Sequence, residues 1–247
     1  MPADERLELD VADILTVLRQ GSLEPEGVMP YSSNYTVLVS VRYQEMMTLA
    51  VYKPRRGERP LWDFPRGTLY QREVAAFLVS ESLGFGLVPP TVVRDGPYGI
   101  GALQLYIEND QEAHIFTMQK EGGYEHALRQ LAAFDYLINN ADRKSGHCLK
   151  GLDNRMWAID HGICFHSEYK LRTVLWDYIG KTLPKDVRSA LHSFQICLDQ
   201  QAPVACELAE LLAPEELHAL RGRLGVLLRG GKYPTPGDGP NVPWPPV

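Results

Sequence analysis

The chain has 247 residues, enough for one large domain or two small lobes with a sizeable core and no need of disulfide staples. With 25 Lys and Arg against 31 Asp and Glu, the formal net charge of -6 argues against bulk attraction to nucleic acid or to an anionic membrane surface, so no nucleic-acid partner is expected. A hydrophobic share of 45% argues against wholesale disorder.

The four cysteines, Cys148, Cys164, Cys197 and Cys206, contain no C-x-x-C pair and read as reduced thiols of a cytoplasmic protein. Asp4, Glu5, Arg6, Glu8 and Asp10 interrupt the N-terminus, which lacks the pattern of a signal peptide. No run approaches the ~18 apolar residues of a transmembrane segment.

In chain order, Leu7, Val11, Ile14, Leu15 and Leu18 recur at helical spacing and stop at Gly21, predicting an amphipathic helix over 7–19. The runs 35–41 and 47–53 are β-rich and read as an antiparallel hairpin. Segment 54–67 reads as a loop. Thr68 caps a predicted helix through about Ser82, which Gly84 ends. Residues 91–107 predict two short strands around Asp95-Gly96-Pro97. From about 124 the pattern turns helical, with Ala127, Leu128, Leu131, Phe134, Leu137 and Ile138 on one stripe; a short strand at 155–160 interrupts it. Further helices are predicted at 184–199, 203–211 and 214–229. Residues 230–247 hold six Pro and four Gly and predict a tail without its own fold, pinned by Trp244. The division expected is a β-rich N-lobe with one long helix (1–107), a helical C-lobe (108–230) and the tail (231–247).

Four residues carry the chemistry because they occur in one order: Lys53 closing a strand, Glu73 in the next helix, Asp142 in a polar loop after a helix, and Asp160 ending a short strand. Phosphoryl transfer needs such a set. A lysine neutralises nucleotide phosphates, a helix carboxylate holds the lysine, one aspartate orients the attacking hydroxyl, and another carries a divalent metal bridging the phosphates. Singly each has a bland reading: a solvated strand end, an exposed helix residue, or turn formers in Asn139-Asn-Ala-Asp142 and Asp160-His-Gly162.

On these residues the chain resembles the phosphatidylinositol 3- and 4-kinase-like family, closest in motifs to type II phosphatidylinositol 4-kinases and their bacterial relatives. Ala50-Val-Tyr-Lys53-Pro resembles the nucleotide-lysine strand, Arg72-Glu73-Val-Ala-Ala-Phe-Leu-Val the helix after it, and Leu87-Val-Pro-Pro-Thr-Val continues the match. Gly101-Ala-Leu-Gln-Leu-Tyr-Ile-Glu108 resembles the segment linking the lobes, Leu137-Ile-Asn-Asn-Ala-Asp142-Arg143 the catalytic loop, and Trp157-Ala-Ile-Asp160-His-Gly162 the metal-binding Asp-x-Gly. The fold implied is α+β, a two-lobed protein-kinase-like one. The implied activity is an ATP-dependent kinase transferring the γ-phosphate to a hydroxyl of a lipid, protein or small molecule.

Under this resemblance Lys53 pairs with Glu73 and touches the phosphates, Gln104, Leu105, Tyr106 and Ile107 line the adenine slot, and Asp142 orients the acceptor. Arg143 steadies either the loop or the transferring phosphoryl. Asp160 holds Mg or Mn. Two departures stand out. His147 occupies the place of the family's second metal-binding Asn; imidazole suits borderline metals better than magnesium, which leaves two readings, manganese at His147 or no metal on it at all. The phosphate-covering turn Tyr31-Ser-Ser-Asn-Tyr35 has no glycine, leaving Ser32, Ser33, Asn34 and backbone N–H groups as phosphate contacts. These departures keep a nucleotide-binding pseudokinase open; two further readings are nucleotidyl transfer on the same fold, since a flipped ATP would use similar residues, and a metal-dependent hydrolase built on Asp142, His147, Asp160, His161 and His166, whose types suit a transition metal. The loop bearing Arg55, Arg56, Arg59, Trp62 and Phe64 reads as a packed lid or as an interfacial contact.

Overall fold

The computed structural model describes residues 10–30 and 34–246, so Ser32 and Ser33 lie outside the described residues. By packing, the chain divides into two compact units: one takes the chain up to Arg59 together with Pro90–Tyr106, the other Pro60–Pro89 together with Ile107 onward. The long helix, expected in the N-terminal region, therefore belongs with the helical residues.

The first unit is a five-stranded antiparallel sheet in the order β1-β2-β3-β5-β4, with β1 Ser22–Val28, β2 Val37–Tyr43, β3 Met46–Pro54, β4 Thr91–Gly96 and β5 Gly99–Leu105. Strand β1 was not expected from sequence: Pro25 and Gly27 weaken it, and both are tolerated because the strand lies at a sheet edge with an irregular register between them. Helix α1 (Val11–Gln20) is capped by Asp10, whose carboxylate accepts from Asp13 N at 2.8 Å. Val17 and Leu18 of α1 pack with Val37, Val39, Val41, Ala50, Tyr52, Val92 and Leu103 in one core. Each buried Val or Leu side chain among them contributes about 1.5–3 kcal/mol by leaving water.

In the second unit, α2 (Leu69–Ser82) packs against α6 (Pro203–Leu211), and α4 (Glu125–Ile138) and α5 (Lys185–Asp199) pack against α7 (Pro214–Gly230). Helix α3 (Ile115–Glu121) spans about two turns, too short for periodicity to reveal. A small antiparallel sheet joins β6 (Asn109–Asp110), β7 (Cys148–Gly151) and β8 (Met156–Ala158). Its pairing Cys148↔Ala158 brings the loop before β7 beside the segment after β8.

Among the described residues none beyond Gly230 belongs to a helix or strand, and Trp244 does not pin the segment, being 88% exposed. Buried Tyr233 donates to Arg129 O at 2.9 Å, and Asn241 O accepts from Thr173 N (3.0 Å) and from the Trp176 indole (2.8 Å). The 54–67 loop is divided in character: Phe64 is buried, whereas Trp62 is 93% exposed and so is not part of a packed lid.

Candidate active site

Helix α4 ends at Asn139, which sits in the left-handed region that Asn tolerates (φ 55). The Asn139 amide spans the next segment, donating to His166 O and Glu168 O and accepting from Lys170 N. Asn140 ties the loop back to the helix: its Nδ2 donates to Asp135 Oδ1 and its Oδ1 accepts from Asp142 N, both at 2.9 Å. Asn140 thus fixes the backbone at Asp142, while Asn139 ties the end of α4 to residues 166–170.

Asp142 is partly buried, with Lys144 Nζ 3.5 Å from its carboxylate. Burial pushes the carboxyl above its ordinary range, against the pull of His147 and Lys144, while the Asp160 charge adds to the rise. Such a carboxylate binds protons more avidly than a solvated one, which suits a base.

Beneath the loop lies a fully buried ion pair, Arg143 with Asp135, with Nε–Oδ2 3.0 Å. The same guanidinium donates to His147 O (2.9 Å) and Ile159 O (3.0 Å) and meets His161 Nε2 at 2.6 Å. One arginine fork therefore fixes the loop, β7 and the residues flanking Asp160.

His147 Nδ1 lies 2.8 Å from Asp142 O. A carbonyl only accepts, so Nδ1 carries the proton and the Nε2 lone pair is left facing Asp160 Oδ2, 3.5 Å away. Burial holds the imidazole pKa below its ordinary value, against the pull of Asp160. Asp160 has φ 60 and a half-exposed carboxylate.

This pair fits a divalent cation. Two donors on bonds of about 2.1 Å stand about 3.0–3.4 Å apart across angles from square to tetrahedral. A backbone carbonyl on the far ring nitrogen is the usual support of a ligating histidine. Among the described residues no group of three or more His, Cys, Asp and Glu side chains is arranged to hold a metal. His161 is buried against Arg143 and the Phe134 ring, and His166 Nε2 meets Asp63 O at 2.9 Å. Neither is spent as the hydrolase reading requires.

Glu73, on α2, accepts from His161 N at 3.0 Å, directly after Asp160. In the sheet unit, Lys53 lies on β3 opposite Ala102, beside a Gly101 whose Cβ would collide with the Lys53 carbonyl oxygen. Asn34 Oδ1 accepts from Arg59 N at 2.8 Å. Gln104 turns its amide inward to Thr91 Oγ1 (2.9 Å), and the Leu105 and Tyr106 amides donate to Pro90 O and Leu49 O. Ile107 begins the second unit. Sequence reasoning missed Asp135, Asn140 and Lys144; a lone carboxylate within the apolar stripe of α4 was the available signal for the first.

No protein-family model matches the chain. Protein Rv2133c of Mycobacterium tuberculosis is 39% identical over 262 residues, a match covering 93% of this chain and 94% of that protein. The chain belongs to the Rv2133c family. Among solved structures it is similar to the Golgi casein kinase with Mn/ADP bound, at TM-score 0.57 and 16% identity, over 89% of this chain and 75% of that one. The Helicobacter pylori proinflammatory kinase CtkA (TM-score 0.52, 14% identity) is covered over 92% by 84% of this chain. Hydra Fam20 with sugar (TM-score 0.52, 16% identity) is covered over 89% by 91% of this chain. At these identities the likeness is one of fold: the chain has an α+β, protein-kinase-like fold. The finer phosphatidylinositol-kinase label rests on the motifs alone. Among the described residues, no helix is long and apolar enough to cross a membrane.

Proposed function

We propose that the protein is an ATP-dependent phosphotransferase that moves the γ-phosphate to a hydroxyl acceptor. The observation that carries this reading is the placement of His147 beside Asp160. Its Nδ1 lies 2.8 Å from the Asp142 carbonyl oxygen, to which it donates, and its Nε2 stands 3.5 Å from the Asp160 carboxylate, where the two would ligate a cation together. A divalent cation held there, Mn or Mg, supplies charge neutralisation for the nucleotide phosphates. The Golgi casein kinase, a neighbour in fold, has been crystallised with Mn/ADP bound, which supports a metal nucleotide for this chain.

The remaining roles follow residue by residue. Lys53 neutralises phosphate charge. Asn34, with Ser32 and Ser33, meets phosphate oxygens, and Gln104, Leu105, Tyr106 and Ile107 line the adenine, the Gln104 side chain being committed to Thr91 and the Leu105 and Tyr106 amides to Pro90 O and Leu49 O. Asp142 accepts the proton of the acceptor hydroxyl, and Arg143 holds the loop on which Asp142 stands.

Thermal unfolding and γ-phosphate transfer, each measured with ATP and either Mg or Mn, test the reading. Binding at about 100 times the dissociation constant stabilises by about 2.7 kcal/mol. Expected are stabilisation that needs both nucleotide and metal, and turnover in Mn at least equal to that in Mg. Stabilisation without turnover in either metal would make the protein a nucleotide-binding module; no stabilisation at all would remove the nucleotide.

A further inference from the structure

Two adjacent side chains of α2 grip the segment after Asp160. Glu73 takes the His161 amide, and Arg72 Nε donates to Cys164 O at 3.0 Å. Arg72 is 1% exposed, and the rest of its fork is occupied too: Nη1 donates to Thr68 O (3.0 Å) and Thr68 Oγ1 (2.6 Å), and Nη2 to Glu216 on α7. The Phe64 ring lies 5.1 Å from the guanidinium carbon. The gripped segment is bounded by two non-glycine residues in the left-handed region, Asp160 (φ 60) and Phe165 (φ 66). Backbone held in that region persists only where its surroundings over-determine it. Here Ala141 N binds Ile163 O, Phe165 N binds Ile138 O, and Arg72 supplies the bond to the carbonyl between them.

We infer that Arg72 is a positioning residue for the metal-bearing carboxylate: through the Cys164 carbonyl, with Thr68 and Glu216 as its anchors, it keeps Asp160 in the conformation that points its carboxylate at His147 Nε2. This rests on the reading of Asp160 and His147 as cation ligands. An arginine is needed because the task takes donors in three directions; a lysine in its place keeps the charge opposite Glu216 but cannot also reach Cys164 O and Thr68.

The test compares wild type, Arg72→Lys and Thr68→Ala, the second removing one anchor of the fork without burying an unpaired charge. Two quantities are read: Mn2+ uptake by electron paramagnetic resonance in the presence of a non-hydrolysable ATP analogue, and amide hydrogen exchange over 161–165. A support one step removed from a metal ligand is worth about 10- to 100-fold in metal affinity. Arg72→Lys is therefore expected to raise half-saturating Mn2+ about tenfold or more and to speed exchange in 161–165, with Thr68→Ala moving both in the same direction by less. Leu191→Val, in the buried face of α5, serves as a destabilised control with Mn2+ uptake unchanged. The inference is overturned if Arg72→Lys and Thr68→Ala leave exchange at the wild-type rate, or if exchange quickens while Mn2+ uptake stays at the wild-type value. Should wild type itself take up no Mn2+ with nucleotide, the cation reading falls and this inference falls with it, whereas the exchange data still report whether Arg72 holds the segment.

Discussion

The buried pair of Asp135 and Arg143 makes the sharpest demand on the helical unit. Both side chains have no solvent exposure, and the carboxylate meets Arg143 Nε at 3.0 Å and Nη2 at 3.1 Å. Asp135→Asn keeps the shape and leaves a guanidinium buried without its counter-charge, a change that costs about 3–5 kcal/mol. With a slope of about 2–3 kcal/mol per molar urea for a unit this size, the unfolding midpoint falls by about 1–2.5 M. All four tryptophans, Trp62, Trp157, Trp176 and Trp244, belong to this unit, so indole fluorescence follows its transition. The double variant Asp135→Leu with Arg143→Met removes both charges, and the ionic part of the loss is recovered. It still strips the His147 and Ile159 carbonyls of their donor, at about 1–3 kcal/mol for each group left unpaired, and turnover stays lost. A midpoint shift below about 0.3 M for Asp135→Asn, or a double variant whose loss equals the sum of the single ones, would refute the reasoning.

Three other outcomes are expected. Asp142→Asn lowers turnover about 10²- to 10⁴-fold, as loss of a positioned base does. Because burial raises the folded pKa of Asp142, wild-type stability declines as pH climbs from the unfolded carboxylate value through the raised one, and at neutral pH the variant unfolds no earlier than wild type; an earlier melt contradicts this. A native thiol titration with a bulky disulfide reagent modifies exposed Cys206 and, more slowly, half-buried Cys197, whereas burial keeps Cys164 protonated and pushes Cys148 up to about 12, so both react only after unfolding. Ending the chain after Gly239 removes the bonds from Asn241 O to Thr173 N and the Trp176 indole and from Pro246 O to Ser145 N, costing about 1–3 kcal/mol net of ordering. Since Ser145 lies between Asp142 and His147, turnover falls as well; equal turnover in the shortened chain would separate the tail from the loop.

The elements that local chemistry specifies were legible: the β2–β3 hairpin, α2, α4 and the three C-terminal helices fall within a few residues of their expected bounds, because apolar periodicity and terminating Gly or Pro act over short range. Edge strand β1 was not, since its Pro and acidic residues suit an exposed edge and resemble a loop. The fate of Trp244 could not be read either. A large aromatic in a Pro-rich tail predicts burial by composition, yet the tail is held by the backbone carbonyls of Asn241 and Pro246, which every residue type possesses.

The same distinction governs the site. Asp142, Asp160 and Glu73 each stand in a short motif that the sequence displays; the contacts of Asp142 are local, to Asn140, Lys144 and His147, whereas those of α2 reach far along the chain. Glu73 meets an amide 88 residues away, Arg72 a carbonyl 92 residues away and a carboxylate 144 residues away. Residues 72 and 73 read as an adjacent pair on a helix, whereas the fold uses them as two ends of one clamp. His147 marks the limit most clearly. Its departure from asparagine weakens a motif-based expectation of metal binding, and under the proposed reading it is the Asp142 carbonyl on Nδ1 that would leave Nε2 for a cation. If that hydrogen bond sets the tautomer, a change that displaces the Asp142 carbonyl should disturb metal uptake even with both ligands intact. Asn140→Ala, which removes the acceptor for Asp142 N, is such a change. It is expected to raise half-saturating Mn2+, and an unchanged value would mean that the loop's own backbone holds the carbonyl without its asparagine.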